Sequence, residues 1–189
     1  MNKTFLASLA AATILALSSL ATPAQMDTMN DPMVGGAAMY PSKTIVQNAV
    51  NSPIHTTLVA AVKAAGLVDT LNSAGPFTVF APTNDAFAKL PAGTVDTLVK
   101  PENHDTLVKI LTYHVVPGRI TARDIAAGIR AGGGKYQMKT VQGGMLTATM
   151  SGKKIMLTDE KGGMATITTS NVYQSNGVID VIDTVLMPS

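Results

Sequence analysis

Residues Phe77 to Phe87 read FTVFAPTNDAF, and the organisation of the chain follows from them. Phe77, Val79 and Ala81 alternate with Thr78 and Phe80, the period of two that suits a strand, and Pro82 removes the next ladder donor. The strand must end there. Thr83 or Asn84 can cap the free amides of a new helix, Asp85 sits well in its first turn, and Phe87 and Leu90 turn back toward a core. The stretch predicts a buried strand feeding a capped helix.

Two further stretches answer it in order: Tyr113-His114-Val115-Val116 at mid-chain, and Ser175 to Asp183, SNGVIDVID, leading into Val185-Leu186-Met187-Pro188. Together the three resemble the fasciclin (FAS1) domain, whose marks are a T-V-F-A-P-T-N block, a Tyr-His pair and a terminal N-G-V-I-H-V-I-D block. The resemblance runs from about Ile45 to Pro188 and is to bacterial, secreted, single-domain members. It implies an α+β fold, a wedge-shaped β sandwich with flanking helices, and adhesion as the activity.

Residues 1–24 carry Lys3 as their only charge, an apolar run from Phe5 to Leu20, and Ala21-Thr22-Pro23-Ala24 at the exit. This is the pattern of a secretory signal peptide, cleaved after Ala21 or Ala24, and it leaves no transmembrane anchor once removed. A spanning helix is the competing reading, because the run approaches the ~17–20 apolar residues a bilayer requires. Without Lys3, 13 of the 14 basic residues remain against 12 acidic ones, so the mature chain is nearly neutral. Lys and Arg are scattered through the sequence, which argues against a nucleic-acid surface. Cysteine is absent, which excludes disulfides, thiolate metal sites, a Cys nucleophile and a lipid on a processed cysteine.

From Gln25 to Pro41 the chain carries Met26, Met29, Met33 and Met39 among Asp, Asn, Pro and paired glycines with no sustained period, which reads as a flexible leader. A single domain is expected over 42–189. Ser42 is a helix cap ahead of Ile45, Val46 and Ala49. A second helix starts near His55 and stops at Gly66, a third places Leu107, Ile110 and Leu111 on one face, and Thr121 caps another over 120–130. From Lys135 onward, short alternating stretches separated by Gly143-Gly144, Ser151-Gly152, Gly162-Gly163 and Asn176-Gly177 predict an antiparallel β region, with Met145, Met150 and Met156 as core filler. Helices thus fall mainly in the N-terminal half and strands mainly in the C-terminal half.

Candidate binding residues follow. The resemblance puts an adhesive surface at Tyr113 and His114; the residues themselves also read as hydrogen-bond closers where a helix gives way to a strand, since their flank is Leu107, Ile110, Leu111, Val115 and Val116. Some animal relatives carry an integrin-linked Asp-Ile pair at the positions matched by Asn171 and Val172. An amide lacks the anionic oxygen a metal-dependent receptor site needs, and the alternative is a polar turn into the last strand. Asp180 stands where the family has His, sharing a face with Val178 and Ile182, so it calls for a position near an edge or for a partner such as His114 or a lysine.

Met26, Met29 and Met33, with His55 as a possible fourth ligand, are the thioether set that would suit Cu(I) in an alternative role as a periplasmic metal or small-ligand binder, which could also use a pocket near Tyr113 and His114. No cofactor is implied. There is no G-x-S-x-G, H-E-x-x-H or phosphate-loop pattern, so the expectation is contact without catalysis. The partner classes are a cell-surface or matrix protein, a polysaccharide or a lipid, with self-association as a source of avidity.

Overall fold

Phe77–Pro82 is a strand, and its alternation is real: Val79 and Ala81 pack on one side of the sheet among helices, while Phe80 packs on the other inside a sandwich. Both faces are buried, which is why this strand reads as nearly continuous apolar sequence. The computed structural model describes residues 31–189. The stretch expected to be a signal peptide, residues 1–24, and Met26 and Met29 lie outside the described residues.

Along the chain the elements are β1 (Met33–Val34), β2 (Ala37–Ala38), α1 (Ile45–Ala49), α2 (Thr56–Ala64), α3 (Val68–Asn72), β3 (Phe77–Pro82), α4 (Asn84–Ala88), α5 (Thr94–Leu98), a 3-10 turn (Pro101–Asn103) and α6 (His104–Tyr113). They continue with β4 (Val115–Pro117), α7 (Ala122–Ala131), β5 (Lys135–Lys139), β6 (Met145–Ser151), β7 (Lys154–Thr158), β8 (Met164–Gln174) and β9 (Gly177–Ile182). The main sheet runs in the order β4-β3-β9-β8-β7-β6-β5. Its neighbours are antiparallel apart from β3 and β9, which pair in parallel from Phe77–Gly177 to Pro82–Ile182. The long strand β8 belongs to both halves, pairing with β7 at its start and β9 at its end, and the edges approach where the Val141 amide donates to the Val115 carbonyl at 2.8 Å. The result is an α+β, barrel-like sandwich with helices mainly early and strands mainly late.

Two cores share the central strands. Helices α1, α2 and α6 cover Val79, Ala81, Ile179 and Val181, whereas Ile125 and Ile129 of α7 close over Phe80, Leu146, Leu157 and Ile182. The helix caps follow local chemistry. Thr83 accepts from the Ala86 amide, and Thr121 forms a reciprocal box with Asp124. The first cap is Thr44 rather than Ser42, because Gln47 three residues on can return a bond to its amide.

Asn176 joins the halves. Its Oδ1 accepts from the Ile45 amide and its Nδ2 donates to the carbonyls of Leu71 and Ser73, all from inside the fold. The neighbouring Gly177 is required, since a Cβ there would lie 2.1 Å from the Phe77 carbonyl oxygen.

Three expectations change. Residues 33–39 form the β1–β2 hairpin, with Val34 and Met39 buried, so the ordered chain begins before Ser42. Asn48 clamps this strap by pairing with both backbone groups of Tyr40 and with Gln174. Met145 and Met156 are only half-buried and Met150 is exposed, because Leu146, Ala148, Ile155 and Leu157 take the inward positions of their strands. Asn171 and Val172, for which a polar turn is the alternative reading, instead continue β8 through two register shifts against β9.

Candidate functional site

Tyr113 is the last residue of α6 and His114 its C-cap, so the helix end delivers both side chains inward. Neither reaches solvent: Tyr113 is 0% and His114 2% exposed. The imidazole is held at both nitrogens. Nδ1 lies 2.8 Å from the Ile110 carbonyl and Nε2 accepts the Leu186 amide at 3.0 Å, which places the proton of the neutral ring on Nδ1. Burial pushes its pKa down to about 4, so the ring is uncharged at neutral pH. Its carbonyl also accepts the Phe80 amide, and one residue therefore ties α6, β3 and the C-terminal segment together.

The phenol reaches the other way. Tyr113 donates to the Met145 carbonyl at 2.8 Å and accepts the Glu160 amide at 3.2 Å, and burial raises its pKa to about 12. Its ring presses on Gly144, where a Cβ would come within 2.8 Å of Cε2. The pair forms an internal junction. As surface contacts their side chains are corrected by this geometry, because an adhesive partner meets neither ring.

Asn171 occupies the register shifts in β8 with φ of 60°, a left-handed conformation that asparagine tolerates. Its Oδ1 accepts the Ala122 amide at 2.8 Å, capping α7 from another strand, and its own amide donates to Asp180 Oδ1 at 2.8 Å. Asn171 is half-buried, Val172 is fully buried in the helix-side core, and Tyr173 is exposed. Val172 is thus removed from the surface set, while Asn171 and Tyr173 stay at its edge.

Asp180 takes a different place from either expectation. It lies in β9, between β3 and β8, and neither His114 nor a lysine pairs with it. The reason is topological, since both nitrogens of His114 are already engaged by backbone groups. Asp180 Oδ2 is buried without a hydrogen-bond partner, and burial raises the pKa to about 6 against the pull of the Asn171 amide.

Of the thioether set, only Met33 is described, and it is exposed. His55 is buried, its Nδ1 2.8 Å from Ser52 Oγ, and burial lowers its pKa. A hydroxyl therefore already holds one nitrogen of the proposed fourth ligand. Among the described residues no group of three His, Asp or Glu side chains converges, and no helix is long and apolar enough to cross a membrane.

The Fasciclin domain model matches residues 53–188, which hold the buried strand, the Tyr-His junction and the terminal block. The chain belongs to the fasciclin domain family. Protein sll1483 of Synechocystis sp. is 47% identical over 174 residues, 92% of this chain and 89% of the relative. Cell surface glycolipoprotein MPB83 of Mycobacterium bovis is 36% identical over 170 residues, 87% of this chain and 70% of the relative. Among solved structures, the FAS1 domain pair of the insect cell adhesion molecule fasciclin I matches with a TM-score of 0.60 at 19% identity. That match covers 77% of this chain and 51% of the insect chain, so this fasciclin chain spans about half the length of the solved structure.

Proposed function

We propose that this fasciclin chain is exported and acts as a single-domain adhesion protein, attaching to a cell surface or extracellular matrix by contact and without catalysis. The observation that carries the reading is where the chemically capable side chains are used. Tyr113, His114, Asn171 and Asp180 are bonded to backbone groups of distant segments, so the fold spends them on holding a rigid surface. The family, and a relative described as a cell surface protein, support a role outside the cytoplasm.

The test is saturable binding of the purified mature protein to intact cells and to isolated matrix, with melting curves alongside. Saturation with retained folding supports adhesion. Linear, non-saturating uptake on both surfaces would overturn it.

A further inference from the structure

A groove of about 570 Å³ runs between the first half of α7 and the β7–β8 strands. On its α7 side the lining includes two small residues, Ala122 and Ala126. Met150, Ile155 and Ile167 supply apolar floor, exposed Ser170 brings a hydroxyl and Thr168 one that donates to the Val181 carbonyl and can still accept, and Arg123, Lys153 and Lys154 bring three cations. Thr121 and Asn171 are just outside it, so the groove abuts the α7 cap.

Its charge is one-sided. No carboxylate lines the groove, and among the described residues none of the three cations is drawn into an ion pair. The nearest acid in sequence, Asp124, feels the charge of Arg123 but forms no ion pair with it, its Oδ2 accepting from the Thr121 amide at 2.9 Å and hydroxyl at 2.7 Å. Asp180 is buried behind Asn171. Three cations from two separate segments, positions 123 and 153–154, meet only through the fold.

We propose that this groove binds an acidic polysaccharide, a chain of uronic-acid sugars, and that it is the contact through which the adhesion proposed above reaches matrix; the inference rests on that reading. The chemistry matches on three counts. A uronate ring offers one carboxylate for Arg or Lys, hydroxyls for Thr168 and Ser170, and a C–H face for Met150 and the isoleucines. The volume falls within the roughly 300–1,000 Å³ of ligand sites and suits a short oligosaccharide segment. A bilayer is a poorer occupant because the cations line a concavity. Single-stranded nucleic acid is poorer still, since no aromatic side chain lines the groove for stacking.

The experiment measures binding of the full mature protein to defined oligouronates by calorimetry, with neutral dextran oligomers, anionic phospholipid vesicles and binding to cells and matrix run in parallel. Four variants are compared: Arg123→Gln/Lys153→Gln/Lys154→Gln; Ala126→Phe, which fills the groove and leaves the charges; Lys135→Gln/Lys139→Gln on β5, outside the groove; and Lys153→Arg/Lys154→Arg. Melting curves confirm folding. The expected result is oligouronate binding weakened about tenfold or more by the triple variant and by Ala126→Phe, and retained by the β5 and arginine variants.

Equal loss in the β5 variant would reduce the effect to bulk charge and overturn the site. Stronger binding to vesicles than to oligouronates would overturn the occupant. Parent protein that binds cells and matrix yet ignores oligouronates sinks this inference and leaves adhesion standing. Parent protein that binds none of these surfaces sinks both. If Ala126→Phe fails to fold, Ala126→Leu takes its place.

Discussion

The His114 junction and the Asn171–Asp180 bulge are both buried, polar and tied to backbone, yet they treat their polar atoms differently. At the junction, Nδ1 and Nε2 of His114 and the hydroxyl of Tyr113 each have a partner. At the bulge, Asp180 Oδ1 holds the Asn171 amide and Oδ2 holds nothing. Histidine can be buried neutral at modest cost, whereas a carboxylate at neutral pH carries its charge into the interior. The junction therefore stabilises the fold by what it connects, and the bulge positions α7 while working against stability.

The largest expected effect breaks the junction. His114→Leu keeps the bulk but strands the Ile110 carbonyl and the Leu186 amide in the core, which should cost about 3 kcal/mol. Chemical denaturation measures it, and a loss below 1 kcal/mol would mean that the C-terminal segment is held by its apolar contacts alone.

Second comes Asp180→Asn, which should stabilise the protein at pH 7. The amide oxygen still accepts from Asn171 and the buried charge, worth about 3 kcal/mol, disappears, while the Nδ2 that replaces the unpartnered Oδ2 gives back about 1 kcal/mol, a net gain on the order of 2 kcal/mol. The two sites also oppose each other in acid. Asp180, raised from 3.8 to about 6, contributes stability that is complete below pH 4 and lost as pH rises through 6. His114, lowered from 6.5 to about 4, contributes stability present above pH 6.5 and lost as pH falls through 4. Between pH 4 and 6 these two contributions largely cancel, which leaves the parent a shallow loss on acidification from His55, whose pKa burial also lowers. Asp180→Asn should instead lose stability steeply on acidification, and its gain over the parent should vanish near pH 4. Melting temperatures across pH 4–7 test this, and parallel curves for parent and variant would refute the opposition.

How far this contrast could be read beforehand depends on sequence distance. The strand and cap in FTVFAPTN are local, and so are the Thr121 cap and the apolar flank that marks Tyr113 and His114 as a junction. Their partners are not local. Met145, Glu160 and Leu186 lie 32, 47 and 72 residues away, and no spacing rule points at them. Asn171 was hidden for another reason: the polar run Thr168 to Asn171 breaks the period of two, so a bulged strand looks like a turn. Met33 to Met39 looked like leader because Gly35-Gly36 resembles linker, while Asn48, which clamps it, is in α1. The basic groove has no single local signature either, since its cations come from the first turn of α7 and from the β6–β7 turn and start of β7.

A third, smaller test separates the two duties of Asn171. Asn171→Gly keeps the left-handed backbone and gives up only the cap on Ala122, whereas Asn171→Ala loses both. The alanine variant should cost about 1–2 kcal/mol and the glycine variant less than half of that. Equal costs would assign the whole effect to the cap.

The smallest effect belongs to Tyr113→Phe. It removes one hydroxyl and leaves the ring seated against Gly144, so the Met145 carbonyl and the Glu160 amide lose a partner without loss of packing. Both groups lie toward a turn that water can reach from Glu160, which is exposed, so re-solvation limits the cost to about 1 kcal/mol. The informative readout is amide exchange at Glu160 and Leu186. Faster exchange at Glu160 alone would show that the two halves of the junction act independently. Faster exchange at both would make Tyr113 and His114 one cooperative unit, and the His114→Leu loss would then include the sandwich turn as well as the C-terminal segment.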